Sequence, residues 1–341
     1  MLASIPFPSW IRPEIIPGLP IRWYGLMYLV AFVVTYLMFM LQVKQRGLEV
    51  KRDQVLDMFF WAIIGLLVGA RLGFALIYDN RGWFLEHPLQ IILPFERVDG
   101  RLRLTGISGM SYHGGLVGVV IAVITYLKVK RLDVLDWADM LVTGIPLGYT
   151  FGRLGNFING ELYGRVTRVA WGMVFPGVPA EGRFNAKLPW VREFAGSIGM
   201  DVPAAGLVNL PRHPSQLYEA LFEGLVLWLV LWFILRPRRP FKGFMVACYI
   251  MGYGIIRFVI EYFRQPDIGI DWPIMLVPLE NPVIQTSPFN LSTGQILCFL
   301  MVAAGLVCLF AFRARARREA ARAAVEAAPK PNARRLRRKL K

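Results

Sequence analysis

The strongest constraint on this chain is its series of long apolar blocks. Seven segments, near 23–42, 55–78, 112–128, 136–153, 217–235, 243–263 and 293–312, approach the roughly 20 mostly apolar residues that cross a hydrocarbon core. In lipid each backbone N–H and C=O must be satisfied inside its own segment, so blocks of this kind read as helices. Of the 341 residues, 55% are hydrophobic and 18% charged. Soluble domains average roughly 45–50% and about 25%. The apolar surplus sits in the blocks, so the membrane span is the natural unit of organisation.

Orientation follows from the basic residues between blocks. Lys44, Arg46, Lys51 and Arg52 follow the first, Lys128, Lys130 and Arg131 the third, Arg236, Arg238, Arg239 and Lys242 the fifth, and a tail from Arg313 the seventh. All four groups share one side only with seven spans, which puts the N-terminus outside and the C-terminus inside. The expected class is an all-α polytopic membrane protein of seven transmembrane helices with a small α+β exterior (periplasmic) head domain. Residues 1–22, broken by Pro6, Pro8, Pro13, Pro17 and Pro20, form an irregular or interfacial lead-in and not a cleavable signal peptide. Residues 23–153 hold spans one to four, 154–216 the head domain, 217–312 spans five to seven, and 313–341 a basic cytoplasmic tail.

The formal net charge is +16. Because that charge gathers in short loops and the tail, it fits membrane topology and contact with anionic lipid better than a nucleic-acid groove. Cys248, Cys298 and Cys308 lie in apolar segments without CxxC or Cys/His spacing, and no HExxH or acidic cluster is present, so neither a metal nor another cofactor is expected. A lipid-binding secondary transporter or channel is the principal rival, although no internal repeat supports it. A membrane scaffold recruiting partners through its tail is a third reading. Glycines at intervals of four, Gly65, Gly69 and Gly73, and Gly144, Gly148 and Gly152, predict close helix packing.

Ionisable side chains within a bilayer cost about 2.5–3.5 kcal/mol each. Arg71 falls late in the second block. Glu219 and Glu223 in the fifth, and Arg257 and Glu261 in the sixth, are spaced i,i+4 and share a helix face. Mutual pairing that fixes helix register accounts for such residues as readily as function does. Depth separates the readings. Tyr24 opens the first block, His113 the third, and Arg153 and Asn156 close the fourth. Arg257 lies 14 residues beyond Gly243, about 21 Å along a straight helix. All five reach one level in the outer half of the membrane. Two arginines, an asparagine and a tyrosine among glycines suit an anionic phosphate, to which Arg can donate as a fork. His113 precedes Gly114 and Gly115 at a helix mouth, where a ligand can approach closely.

The stretch 152–165, GRLGNFINGELYGR, resembles the signature of the prolipoprotein diacylglyceryl transferases. IRWYGLMYLV at 21–30, SYHGGLVG at 111–118, HPSQLYE at 213–219 and YGIIRFVIEYFRQPD at 253–267 resemble that family in the same order. The resemblance covers roughly residues 20–312. It implies a bacterial cytoplasmic (inner) membrane enzyme that moves diacylglycerol from phosphatidylglycerol to the lipobox cysteine of a preprolipoprotein. The products it implies are a thioether and glycerol-1-phosphate. Carried over by position, the site residues implied are Tyr24, His113, Arg153, Asn156, Glu161, Gly164, Arg257, Glu261 and Arg264. In the expected mechanism Arg153 and Arg257 hold the phosphate, Asn156 and Tyr24 orient the head group, and Glu261 orients Arg257 or Arg264. Gly164 keeps the backbone clear of substrate. His113 is either the base for the thiol or a positioning residue.

Overall fold

The computed structural model describes residues 4–16, 22–77, 95–98, 101–104, 110–265, 273–281 and 283–327. Pro17 and Pro20 of the lead-in, Asp267, most of the stretch between the second and third apolar blocks and the end of the basic tail lie outside the described residues. The chain divides into two compact units, Met1–Phe39 with Ala138–Lys341, and Met40–Trp137.

Helices form at each apolar block: α1 (Trp23–Gln45), α2 (Arg52–Ile77), α3 (Tyr112–Val129), α4 (Val134–Asn159), α6 (Ser215–Arg238), α7 (Phe244–Ile260) and α8 (Thr293–Ala327). A short helix, α5 (Pro189–Ser197), lies between α4 and α6. Among the described residues α1, α2, α3, α6 and α8 are long and apolar enough to cross a membrane. α4 has the length but carries Asp136, Asp139 and Arg153, and α7 is apolar but only 17 residues long. The outer helix faces are apolar, as Leu29, Val33 and Leu37 along α1 illustrate. An exposed apolar stripe is unfavourable in water and is what a lipid solvent demands.

In the Met40–Trp137 unit, α2 and α3 pack through small residues. A Cβ added to Gly73 would fall 2.6 Å from Gly114 Cα, and one on Gly69 would fall 2.7 Å from Gly118 Cα. The glycines therefore set how closely these two helices approach. Between them the chain also forms an antiparallel pair, β2 (Phe95–Val98) with β3 (Arg101–Leu104). Arg46 closes the base of the unit with an ion pair to Asp136 at 3.0 Å.

In the other unit Gly144 and Gly148 of α4 meet Met38, Thr35 and Ala31 of α1, whereas Gly152 faces open space. The buried Asp139 on α4 accepts from Gly243 N at 2.8 Å, Val246 N at 3.0 Å and Arg239 Nε at 2.8 Å. It thereby satisfies orphan N–H groups at the start of α7. Beyond α4 lies a small α+β region with a core of Val166, Val191, Phe194 and Leu210. Its strands are short: β5 (Phe184–Asn185) pairs antiparallel with β6 (Leu207–Val208), and β1 (Ile5–Pro6) lies parallel to β4 (Met173–Val174). The β1 pairing ties the lead-in down, with Phe7 packing on Phe157 and Phe175. The chain from α7 returns to α8 through β7 (Ile274–Met275) and β8 (Asn290–Leu291).

Candidate active site

α6 does not run as a regular α-helix. Glu219–Val226 and Val230–Leu235 adopt the wider i→i+5 hydrogen-bonding pattern, a form concentrated at functional sites. The first wide stretch carries Glu219 and Glu223, with residue exposures of 0% and 1%. Carboxylates so buried need cationic partners, because desolvation is otherwise uncompensated.

The partners come from three places in the chain. Arg153 Nε on α4 lies 2.8 Å from Glu219 Oε2. Arg257 Nη1 on α7 lies 3.0 Å from Glu219 Oε1 and 3.5 Å from Glu223 Oε1, and Nη2 donates to Glu261 Oε2 at 3.0 Å. Arg264 Nη1, in the turn beyond α7, is 3.6 Å from Glu219 Oε1. Glu219 is thus shared by three guanidinium groups. Tyr149 joins the network by donating to Glu223 Oε2 while accepting from Arg153 Nε at 2.6 Å. Among the described residues Arg153 Nη2 makes no hydrogen bond and Arg264 meets only one carboxylate, so donors remain for an anionic ligand.

The loop after α4 extends this cluster. Arg153 Nη1 donates to Asn156 Oδ1 at 3.4 Å, and Asn156 Nδ2 donates to Glu161 Oε1 at 3.0 Å. Gly160 and Leu162 both have positive φ, which turns the chain sharply back from α4. The turn is stitched to the start of α6 by Gln216 Nε2 donating to Glu161 O at 2.7 Å and Ser215 Oγ donating to Leu162 O at 3.1 Å.

Gly164 and Arg165 then face a single residue, His213. Gly164 N donates to His213 O at 2.8 Å, and His213 N donates to Arg165 O at 2.9 Å. Two residues against one make a β-bulge, which turns the strand and lets Arg165 N reach Phe263 O at 2.9 Å. The bridge Gly164–Arg264 results. A Cβ at Gly164 would strike Phe263 O and His213 Cβ, so only glycine permits this approach of the Arg264 turn.

Burial pushes the His213 imidazole down to about 4. Its Nδ1 lies 3.1 Å from Tyr218 Oη, which already accepts from Trp171 Nε1 at 2.6 Å. Trp171, Tyr218 and the His213 ring are thereby joined in one hydrogen-bonded chain.

Of the residues expected from sequence, Arg153, Asn156, Glu161, Arg257, Glu261 and Arg264 join one polar network, with Gly164 bridged to Arg264. Tyr24 stands beside it: its Cα is 3.5 Å from a Cβ built on Gly155, and its hydroxyl donates to Tyr28 Oη at 3.0 Å. Glu261 holds Arg257 and also accepts from Ser292 Oγ at 3.4 Å. His113 belongs to the Met40–Trp137 unit, at the second position of α3. Ser111 Oγ caps that helix by accepting from Gly114 N at 3.2 Å, and the exposed imidazole stands edge-on to Tyr112. Sequence reasoning passed over Glu219, Glu223 and Tyr149 as site members. The i,i+4 glutamate pair in an apolar block was the available signal for the first two, and Glu219 closes the HPSQLYE motif. Among the described residues no group of three His, Cys, Asp or Glu could hold a metal ion.

A family model described as prolipoprotein diacylglyceryl transferase matches residues 13–311. A phosphatidylglycerol–prolipoprotein diacylglyceryl transferase of Treponema denticola is 50% identical over 321 residues, covering 91% of this chain and 94% of its own. The Treponema pallidum protein of the same description is 45% identical, covering 95% and 99%. That of Chlorobaculum tepidum is 40% identical, covering 88% and 89%.

Proposed function

Because the chain belongs to the prolipoprotein diacylglyceryl transferase family, we propose that Arg153, Arg257 and Arg264 grip the phosphate of its lipid donor. The protein is a membrane transferase of lipoprotein biosynthesis. It moves the diacylglyceryl group of phosphatidylglycerol onto a prolipoprotein, the first step of lipoprotein maturation. The secondary-transporter and scaffold readings fall away with that membership.

In the proposed reaction the acceptor is the thiol of the lipobox cysteine. Its sulfur attacks the glycerol carbon that bears the phosphate ester. An S–C bond forms, the C–O bond breaks, and glycerol-1-phosphate departs with the electron pair. The thiol proton passes to a base, since a thiol of pKa about 8.5 is mostly protonated near neutrality. Negative charge grows on the leaving phosphate, and prearranged cations lower that barrier. The observation that carries this reading is the convergence of three arginines within 3.6 Å of one buried carboxylate. Glu219 keeps them aligned before lipid arrives, so little reorganisation is left for the chemical step. Asn156 and Tyr24 orient the head group, Glu161 steadies Asn156, Glu261 aims Arg257, and Gly164 leaves the backbone clear of substrate. His113 serves as the base or positions a substrate.

The same reading places seven spans in a bacterial cytoplasmic membrane, with α4 and α7 completing the set. The N-terminus and the 154–216 head domain lie outside. The lead-in at 1–22 rests near the outer surface, spans one to four occupy 23–153 and spans five to seven 217–312. The tail from 313 lies inside against anionic lipid. The test is full-length enzyme in detergent with phosphatidylglycerol and a peptide bearing the acceptor cysteine, followed by peptide mass. Arg153→Lys and Arg257→Lys are expected to lower turnover by about 10²–10³-fold; near-normal rates in either sink the phosphate role. His113→Gln with an unaltered pH profile and normal rate removes the base role and leaves positioning.

A further inference from the structure

A cavity of about 970 Å³ is lined by Arg165 and Phe263, the immediate neighbours of the bridged pair Gly164 and Arg264. Its size is at the top of the roughly 300–1,000 Å³ range of ligand pockets. The lining mixes apolar and polar groups, with Val169, Trp190 and Ile284 among its apolar members outside α7. Val259 and Phe263, from the end of α7 and the turn after it, are apolar side chains exposed by 54% and 39%. Arg168 and Glu193, from the α+β region, and Glu280 and Gln285, from the return to α8, are polar. Both signs of charge are present.

We propose that this cavity binds the polypeptide substrate, taking the residues on the polar side of its acceptor cysteine as that chain leaves the membrane. The inference rests on reading the arginine cluster as the reaction site. Three observations favour this occupant. Exposed apolar side chains at the end of α7, facing a lining that mixes apolar groups with charges of both signs, match a chain that passes from lipid into water. Glu193 and Glu280 among the arginines oppose an anionic lipid head group, whereas a polypeptide offers both donors and acceptors. The cavity also adjoins the reaction site, because its lining residues Arg165 and Phe263, joined by Arg165 N donating to Phe263 O at 2.9 Å, are the chain neighbours of Gly164 and Arg264. A segment seated there lies within a short stretch of chain from a cysteine at the arginines.

The experiment compares two acceptor peptides with full-length enzyme in detergent and phosphatidylglycerol. They are identical up to the cysteine; one ends there and the other continues for about ten neutral polar residues. The cavity predicts a KM about tenfold lower for the longer peptide, equivalent to ~1.4 kcal/mol of binding. Thr286→Trp, which fills the cavity from an exposed position, raises the longer peptide's KM to that of the shorter. It leaves kcat, the shorter peptide's KM and the lipid's KM unchanged. Gln285→Trp is the second variant and carries the same expectation. Equal KM for the two peptides, or equal effects of these variants on both, overturns the inference alone. A raised KM for phosphatidylglycerol overturns it in favour of a lipid subsite. Transfer to neither peptide by the unmodified enzyme removes the underlying reading, and this one with it.

Discussion

Glu219 shows how one buried carboxylate can gather cations from distant parts of the chain. Its carboxylate meets Arg153, Arg257 and Arg264, which lie in three separate segments of the chain. Glu219→Gln keeps the shape and removes the charge, leaving guanidinium groups to repel one another. Removing one partner of a buried pair costs about 3–5 kcal/mol, so the apparent melting temperature in detergent should fall and turnover should drop by at least ~10²-fold. A Glu219→Gln enzyme with normal turnover would show that the arginines need no common anchor. His213 makes a prediction in pH. Burial lowers its folded-state value to about 4, below the ordinary ~6.5 of an unfolded chain. The unfolded state then binds the proton more readily, so stability is full above about pH 6.5 and drains away as pH falls toward 4. The loss is on the order of 3 kcal/mol at its acid limit. Melting measured from pH 7 to pH 5 should decline in the native protein and flatten in His213→Gln; an identical slope in both removes the assignment. Arg153 and Arg257 were legible in sequence because a charge in an apolar block stands out. Their common partner was not, because two glutamates four residues apart look like self-contained helix chemistry until a neighbouring helix supplies the cations.

Helices of this protein are spaced by what they lack. The two glycine series have the same period, yet they do different things. Gly65, Gly69 and Gly73 lie against Gly114 and Gly118, while Gly152, the last of the other series, has nothing within 4 Å of an added Cβ. Gly118→Val must therefore push α2 from α3, and overpacking of this kind costs about 1–3 kcal/mol or more. Gly152→Ala should be tolerated. Melting temperature and yield of the two variants in detergent check this; a Gly118→Val protein as stable as Gly152→Ala contradicts the close packing. Periodicity placed both series on helix faces, but only the neighbouring backbone determined which glycines were indispensable. In the same way the apolar content of α6 announced a helix without announcing its wider hydrogen-bond pattern at Glu219–Val226 and Val230–Leu235.

For the whole molecule the first matter is topology. Single cysteines introduced at 48 and at 240 should react with an impermeant thiol reagent only when the inner face is exposed, and one at 181 should react from outside. Labelling of 181 and 240 from the same side would contradict the seven-span arrangement. The sequence by itself determined that the chain is a membrane protein, where its helices form, and that it belongs with the diacylglyceryl transferases. The physical reason is that apolar length, helix periodicity and motif chemistry are local properties, written into contiguous residues. Tertiary structure alone decided that Glu219 unites three arginines, that a bulge at Gly164 and Arg165 fastens the Arg264 turn, and that a cavity opens beside that bridge. These depend on groups far apart in the chain, from 38 positions between Glu219 and Arg257 to 100 between Gly164 and Arg264, and such contacts are set by packing and charge compensation that no single segment encodes.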